Sequence, residues 1–179
     1  MKKLISAILV LALASFAIFA DTDFFEVETK VEGVNMMKIT AGQYNPTTPS
    51  PDDFEDADPF AGSFGVTAPG AQTNLSAWLS TLSNERDGYT VSMTASAMKS
   101  SITGQADAYI NYTVTVNSKS ITTNNTTSNP TSVDVITVTG LTALAKESHQ
   151  IFLSVDPITY NSAVEGSYSG TVTFTYTTT

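Results

Sequence analysis

Alternation with a period of two constrains this chain more than any other feature. In Tyr168–Ser169–Gly170–Thr171–Val172–Thr173–Phe174–Thr175–Tyr176, the side chains of Val172, Phe174 and Tyr176 fall on one side of an extended backbone. Thr171, Thr173 and Thr175 fall on the other. Successive Cβ atoms of a strand point to opposite faces, so this pattern gives one apolar face and one hydroxylated face. That suits an antiparallel strand with one side on a core and one in water. Tyr109–Val116 repeats the scheme through Ile110, Tyr112, Val114 and Val116, and Tyr89–Ala95 repeats it through Tyr89, Val91 and Met93. Val133–Val138, Ile151–Val155 and Asn35–Ile39 read as further strands, and Phe25, Val27, Thr29 and Val31 alternate with Glu26, Glu28, Lys30 and Glu32. Branching at Cβ makes Thr, Val and Ile fit such pleated surfaces.

Turn chemistry separates these runs. Asp87–Gly88 is a turn signal before one strand. Ser118–Ser132, rich in Ser, Thr and Asn and containing Pro130, reads as a long loop or hairpin. Residues 44–60 hold Pro46, Pro49, Pro51 and Pro59 and cannot form a central strand. Leu75, Trp78, Leu79 and Leu82 have helical spacing and fit either a short capping helix or an irregular strand. The expected fold is all-β: an immunoglobulin-like antiparallel β-sandwich of about seven to eight strands, with room for one short helix.

The first twenty residues stand apart. Lys2 and Lys3 precede an almost wholly apolar run from Leu4 to Phe19, and Ala20 precedes the acidic Asp21. This is the layout of a secretory signal peptide, with cleavage expected after Ala20 and Ala17 as second choice. A retained membrane anchor is the competing reading, but no positive flank follows the run. The expected organisation is a signal peptide over 1–20 and one sandwich domain over 21–179, with a Pro/Asp-rich loop at 44–60. The chain is then exported to the periplasm, cell surface or extracellular space, with no stable membrane span after cleavage. Removing Lys2 and Lys3 leaves 6 basic against 17 acidic residues, a net charge of −11. That balance opposes nucleic acid, which demands a positive footprint. With no cysteine, thiol catalysis, thiolate metal sites and a lipidated anchor are all excluded.

The closing stretch Val164–Glu165–Gly166–Ser167–Tyr168–Ser169–Gly170, with the strand that follows, resembles the last strand of bacterial fimbrial (pilin-like) and spore-coat-U-like β-sandwich proteins. Gly88–Ser96 is similar to an internal strand of such proteins. Many pilins carry a disulfide and place an aromatic residue next to last; here there is no cysteine, and Tyr176 is followed by three threonines. The resemblance implies a surface or fibre component, assembled by adding a strand to a neighbour.

Chemistry-bearing residues are few. The single histidine, His149, reads as a solvated turn residue, because nothing supplies the other roles of a catalytic triad. Gly166–Ser167–Tyr168–Ser169–Gly170 places Tyr where a nucleophile elbow needs Ser. The acidic run Asp52, Asp53, Glu55, Asp56 and Asp58 is the one metal candidate, for weak Ca²⁺ binding by hard oxygen ligands, although it lacks the spacing and central glycine of an EF-hand. Its plainer reading is a self-repelling loop. Trp78, the sole tryptophan, is either a stacking plate for sugar or a core residue, and the leucines around it favour the core. No enzyme and no obligatory cofactor are expected. The function expected is an exported structural or adhesive component that self-associates through sheet edges; the alternative is a secreted binding module for glycan or calcium.

Overall fold

The computed structural model describes residues 27–73, 75–100, 107–127 and 131–179. The signal peptide, its cleavage site and Phe25 lie outside them. The chain divides into a unit ending at Val31 and a unit over Glu32–Thr179 that holds every strand described below. Val27–Val31 forms no strand, and Val27 and Val31 are 79% and 78% exposed. The strand expected from Phe25 to Val31 is therefore absent from its described part. The first described strand begins at Asn35.

In chain order, β1 is Asn35–Thr40, α1 Pro51–Asp56, β2 Gly70–Gln72, β3 Trp78–Ser83 and β4 Tyr89–Ala95. Then come β5 Met98–Ser100, β6 Tyr109–Ile110, β7 Tyr112–Val116, β8 Lys119–Thr122 and β9 Val133–Val138. The chain ends with β10 Ala145–Val155, α2 Pro157–Ser162, β11 Tyr168–Ser169 and β12 Val172–Thr178. The fold is all-β and antiparallel as expected. The strands outnumber seven or eight because several are pieces of two to four residues. One sheet runs β1–β3–β10–β7–β8, with β2 also on β10; a second runs β12–β4–β9; a third, small one runs β11–β5–β6.

The main core lies between the first two sheets, where the period-two faces meet. Leu79, Val114, Val116, Ile151 and Val155 from one face Tyr89, Val91, Met93, Val135 and Ile136 from the other. Val135 and Ile136 are both buried because a bulge opposite Val91/Ser92 shifts the β9 register. The bulge frees the Val135 carbonyl, which accepts from Asn117 Nδ2 at 2.8 Å. Asn117 and Ser118 have φ of 48° and 62°, the positive values a two-residue hairpin demands, and they join β7 to β8, so the loop or hairpin expected at 118–132 opens with the hairpin.

A second apolar layer covers the outer side of β1–β3–β10. Ser50 caps α1 through the Asp53 N–H, Pro51 follows, and Phe54 is buried against Tyr44 and Leu82. The Pro/Asp-rich segment is thus an ordered helix rather than only a loop. Beneath it a buried hydroxyl chain crosses three strands: Thr40 Oγ1, Ser80 Oγ and Ser148 Oγ stand 2.9 Å apart in succession. Of the two readings left open for Leu75–Leu82, the strand holds over Trp78–Leu82, within β3, while Leu75 precedes it. β3 has both faces covered, Leu79 by the main core and Leu82 by Phe54, and this removes the alternation that marks half-buried strands. Among the described residues no helix is long and apolar enough to cross a membrane.

Candidate functional site: an unpaired strand edge over an apolar groove

The last strand, β12, pairs with β4 from Val172↔Ala95 to Thr178↔Tyr89 and stands at the edge of its sheet. Its entry is set by Gly170. A Cβ there would lie 2.7 Å from the Ser96 carbonyl oxygen and 3.1 Å from the Met98 nitrogen. Beside it Ser96 and Thr171 lock together: Ser96 N–H donates to Thr171 O, and Thr171 N–H donates to Ser96 Oγ, each at 2.9 Å.

Val172, Phe174 and Tyr176 point inward but stay half-buried, while Thr173, Thr175 and Thr177 are exposed. Under Val172 and Phe174 the two sheets do not close. A groove of about 550 Å³ opens, lined across from β12 by Ile39, Leu75, Tyr112, Val114, Ile151 and Leu153. Phe60 and Phe64 also line it, stacked with ring centroids 4.5 Å apart. The opposite edge, on β1, is partly occupied by the chain itself: Ala41 N–H donates to Asp58 O at 2.9 Å, and Phe60 N–H to Ile39 O at 2.8 Å. β12 has no such cover from a described strand.

Tyrosine hydroxyls supply most of the polar anchoring. Tyr176 stacks on Tyr89 at 4.8 Å, and its hydroxyl lies 2.9 Å from Asn35 Oδ1 and 3.1 Å from Ser83 Oγ, tying β12 to the facing sheet. The Tyr89 hydroxyl bonds Thr81 Oγ1 at 2.8 Å. Burial pushes Tyr112 up to about 12 and raises Tyr89 and Tyr176 above the usual phenol value. The folded state thus resists ionisation that the unfolded chain accepts near pH 10. The stabilisation from these three groups is complete below pH 10 and is lost as pH rises through the folded values. Thermal melts from pH 8 to 12.5 should be flat at first and then fall. The Tyr112 share of that loss is about 1–2 kcal/mol after discounting for solvent screening, or about 5 °C in Tm. A melting temperature that rises across that window contradicts the assignment.

Among the described residues, and apart from tyrosine, no ionisable side chain lines the groove. Apolar pockets beside an open strand edge suit an extended peptide: main-chain bonds supply affinity, and alternate side chains fill the pockets.

The sequence candidates lie elsewhere. Asp52, Asp53, Glu55 and Asp56 project into solvent around α1, with Asp58 exposed just beyond it. Among the described residues no three His, Asp or Glu side chains converge as a metal set. The carbonyls that gather at the end of α1 face a cation already: Lys38 Nζ donates to Phe54 O, Glu55 O and Ala57 O at 3.1, 2.6 and 2.9 Å. His149 is not a turn residue but part of β10, with Nε2 3.0 Å from Glu147 Oε2. Trp78 is half-buried at the start of β3 and belongs to neither apolar cluster. The groove was missed because its walls come from residues far apart in sequence. The one local signal was the alternation of β12, which marks a strand but not its place at a sheet edge.

The sequence matches no protein-family model and no curated protein.

Proposed function

We propose that this chain is an exported, non-enzymatic structural component of the periplasm or cell surface, pilin-like in use, which joins copies of itself by strand addition. The N-terminal segment of one copy, through Phe25, Val27 and Val31, runs along β12 of the next and fills its groove. The observation that carries this reading is the β12 edge, unpaired among the described strands, beside an apolar groove. An edge of this kind templates pairing with another chain unless it is covered. The segment fits in kind: it alternates, forms no strand of its own over 27–31, and leaves Val27 and Val31 in water. The charge of −11 on the chain from Asp21 opposes indiscriminate clumping, so association needs a specific seat.

Deleting residues 21–31 tests the donor role. The shortened chain is expected to stay folded, with a Tm within about 3 °C of the parent, since surface changes cost about 0.5 kcal/mol or less. It should lose self-association at every concentration at which the chain from Asp21 shows it in sedimentation velocity. Equal self-association by both chains would falsify the donor role. Collapse of the shortened chain would instead make the segment an intrinsic strand.

A further inference from the structure

The outer face of β10 and β7 carries a second feature, independent of the groove. Ile151, Leu153 and Val155 turn toward the core, which sends Phe152 and Ser154 outward. Phe152 is 53% exposed, a large apolar ring on a face otherwise made of hydroxyls. Across the β10–β7 pair it stands opposite Thr115, and Ser154 stands opposite Thr113. One strand further, Thr115 Oγ1 lies 2.7 Å from Ser120 Oγ, and Thr113 Oγ1 lies 2.8 Å from Thr122 Oγ1. Each pair of hydroxyls uses one of its two protons internally and keeps the other as a donor.

The ring stands beside a hollow. Pairing of β10 with β3 ends at Gln150 and pairing with β2 begins at Leu153. The gap leaves a cavity of about 340 Å³ next to Phe152, lined also by Gln72, Gln150, Ser154, Thr113 and Thr115. Both glutamines are held. Gln72 Nε2 donates to Ala68 O and Gly70 O at 3.0 and 2.9 Å, and Gln150 Nε2 donates to Leu75 O at 3.4 Å. The Gln150 amide nitrogen faces the backbone, which leaves its side-chain carbonyl oxygen as an oriented acceptor on the Phe152 side, whereas Gln72 is in register with the core-facing Leu153. Among the described residues no charged side chain lines the hollow.

We propose that this hollow binds a neutral saccharide. A pyranose has an apolar C–H face, which stacks on an aromatic plate, and a rim of hydroxyls that both donate and accept. The site offers the matching set: one exposed ring, one oriented acceptor from Gln150 and spare hydroxyl donors. The volume falls within the range of about 300–1,000 Å³ usual for small-ligand sites. The uncharged lining gives no counter-ion for phosphate, carboxylate or ammonium groups, and the chain's negative charge adds a field against anions.

The chain from Asp21 is titrated with glucose, galactose, mannose, N-acetylglucosamine, lactose and maltose at millimolar concentrations. Binding is read by saturation-transfer NMR and by emission from Trp78, which faces Gln150 across the β3–β10 pair. At least one sugar should bind. Phe152→Ala should weaken it by about tenfold or more, and Phe152→Trp should retain it. Because Phe152 is half in solvent, both variants should keep the parent's circular dichroism and melting temperature. No binding by the parent to any of the six sugars, or equal affinity of parent and Phe152→Ala, overturns the proposal. Sedimentation of the same samples keeps the outcome separate from self-association, on which the site does not depend.

Discussion

Gly88→Ala is expected to cost about 4 kcal/mol or more, among the largest effects a point substitution produces, and to lower Tm by about 10 °C or more. Gly88 opens β4, the central strand of its sheet, with φ at +97°. A Cβ there would sit 2.0 Å from the Val138 carbonyl oxygen and 2.8 Å from the Gly140 nitrogen. Both obstacles are backbone, so no side chain can swing aside, and the positive φ adds strain of its own. Relief requires moving the start of β4, whose Tyr89 is in register with Val138 on one side and Thr178 on the other. The Thr179 N–H bond to Gly88 O at 3.1 Å ties the end of β12 to the same point. Gly140→Ala is the control. Its φ is +79°, but its nearest obstacle, Arg86 O, is 3.5 Å away, so its cost should be nearer 1 kcal/mol. Thermal melts of the two variants check the contrast, and a Gly88→Ala melt within 2 °C of the parent contradicts the packing described.

Phe54→Ala should cost about 3–5 kcal/mol, the usual range for deleting a buried aromatic ring. Phe54 is 1% exposed, meets Tyr44 edge-on with centroids 4.8 Å apart, and packs on Leu82. The ring is the main link between α1 and the sheet beneath it, so its loss opens a cavity on the outer side of β3. Urea unfolding measures the change. Asp52→Asn, two residues earlier on the solvent side of α1, should fall within about 0.5 kcal/mol of the parent. A Phe54→Ala cost below 1 kcal/mol contradicts the account, because the outer layer would then be dispensable to the fold.

Sequence alone reveals most strands of this molecule and little of its surface chemistry. β4, β7 and β12 are legible because one face of each meets the core and the other meets water, so the side chains alternate; β9, whose alternation breaks at Val135 and Ile136, is legible by its β-branched residues. β3 is not, since Phe54 and Tyr44 cover its second face and favour apolar residues on both sides. The acidic run concealed α1 for a different reason. Five carboxylates drew attention to charge, while the informative residues were Ser50 and Pro51, a cap and a first-turn proline, followed by the apolar Phe54. Asp156–Pro157 starts α2 in the same way and was equally readable. His149 looked like a turn residue because the polar stretch Ala145–Gln150 does not alternate. Its pairing with β3 becomes visible only once Ser148 is seen bonding Ser80. The groove and the saccharide hollow were beyond reach. Each is assembled from strands distant in sequence, and only the finished register brings Ile39 across from Phe174, or Phe152 beside Thr115.

The central claim is that one copy's N-terminal segment completes the sheet edge of the next. Its most direct test is electrophoresis of native cell-envelope samples in detergent, unheated against boiled, with immunodetection of this chain. An inserted strand adds both main-chain bonds and buried apolar contacts, so strand-linked copies resist detergent. The account predicts a ladder of multiples in the unheated lane that collapses to one band at the monomer mass on boiling. A single monomer band in both lanes contradicts it.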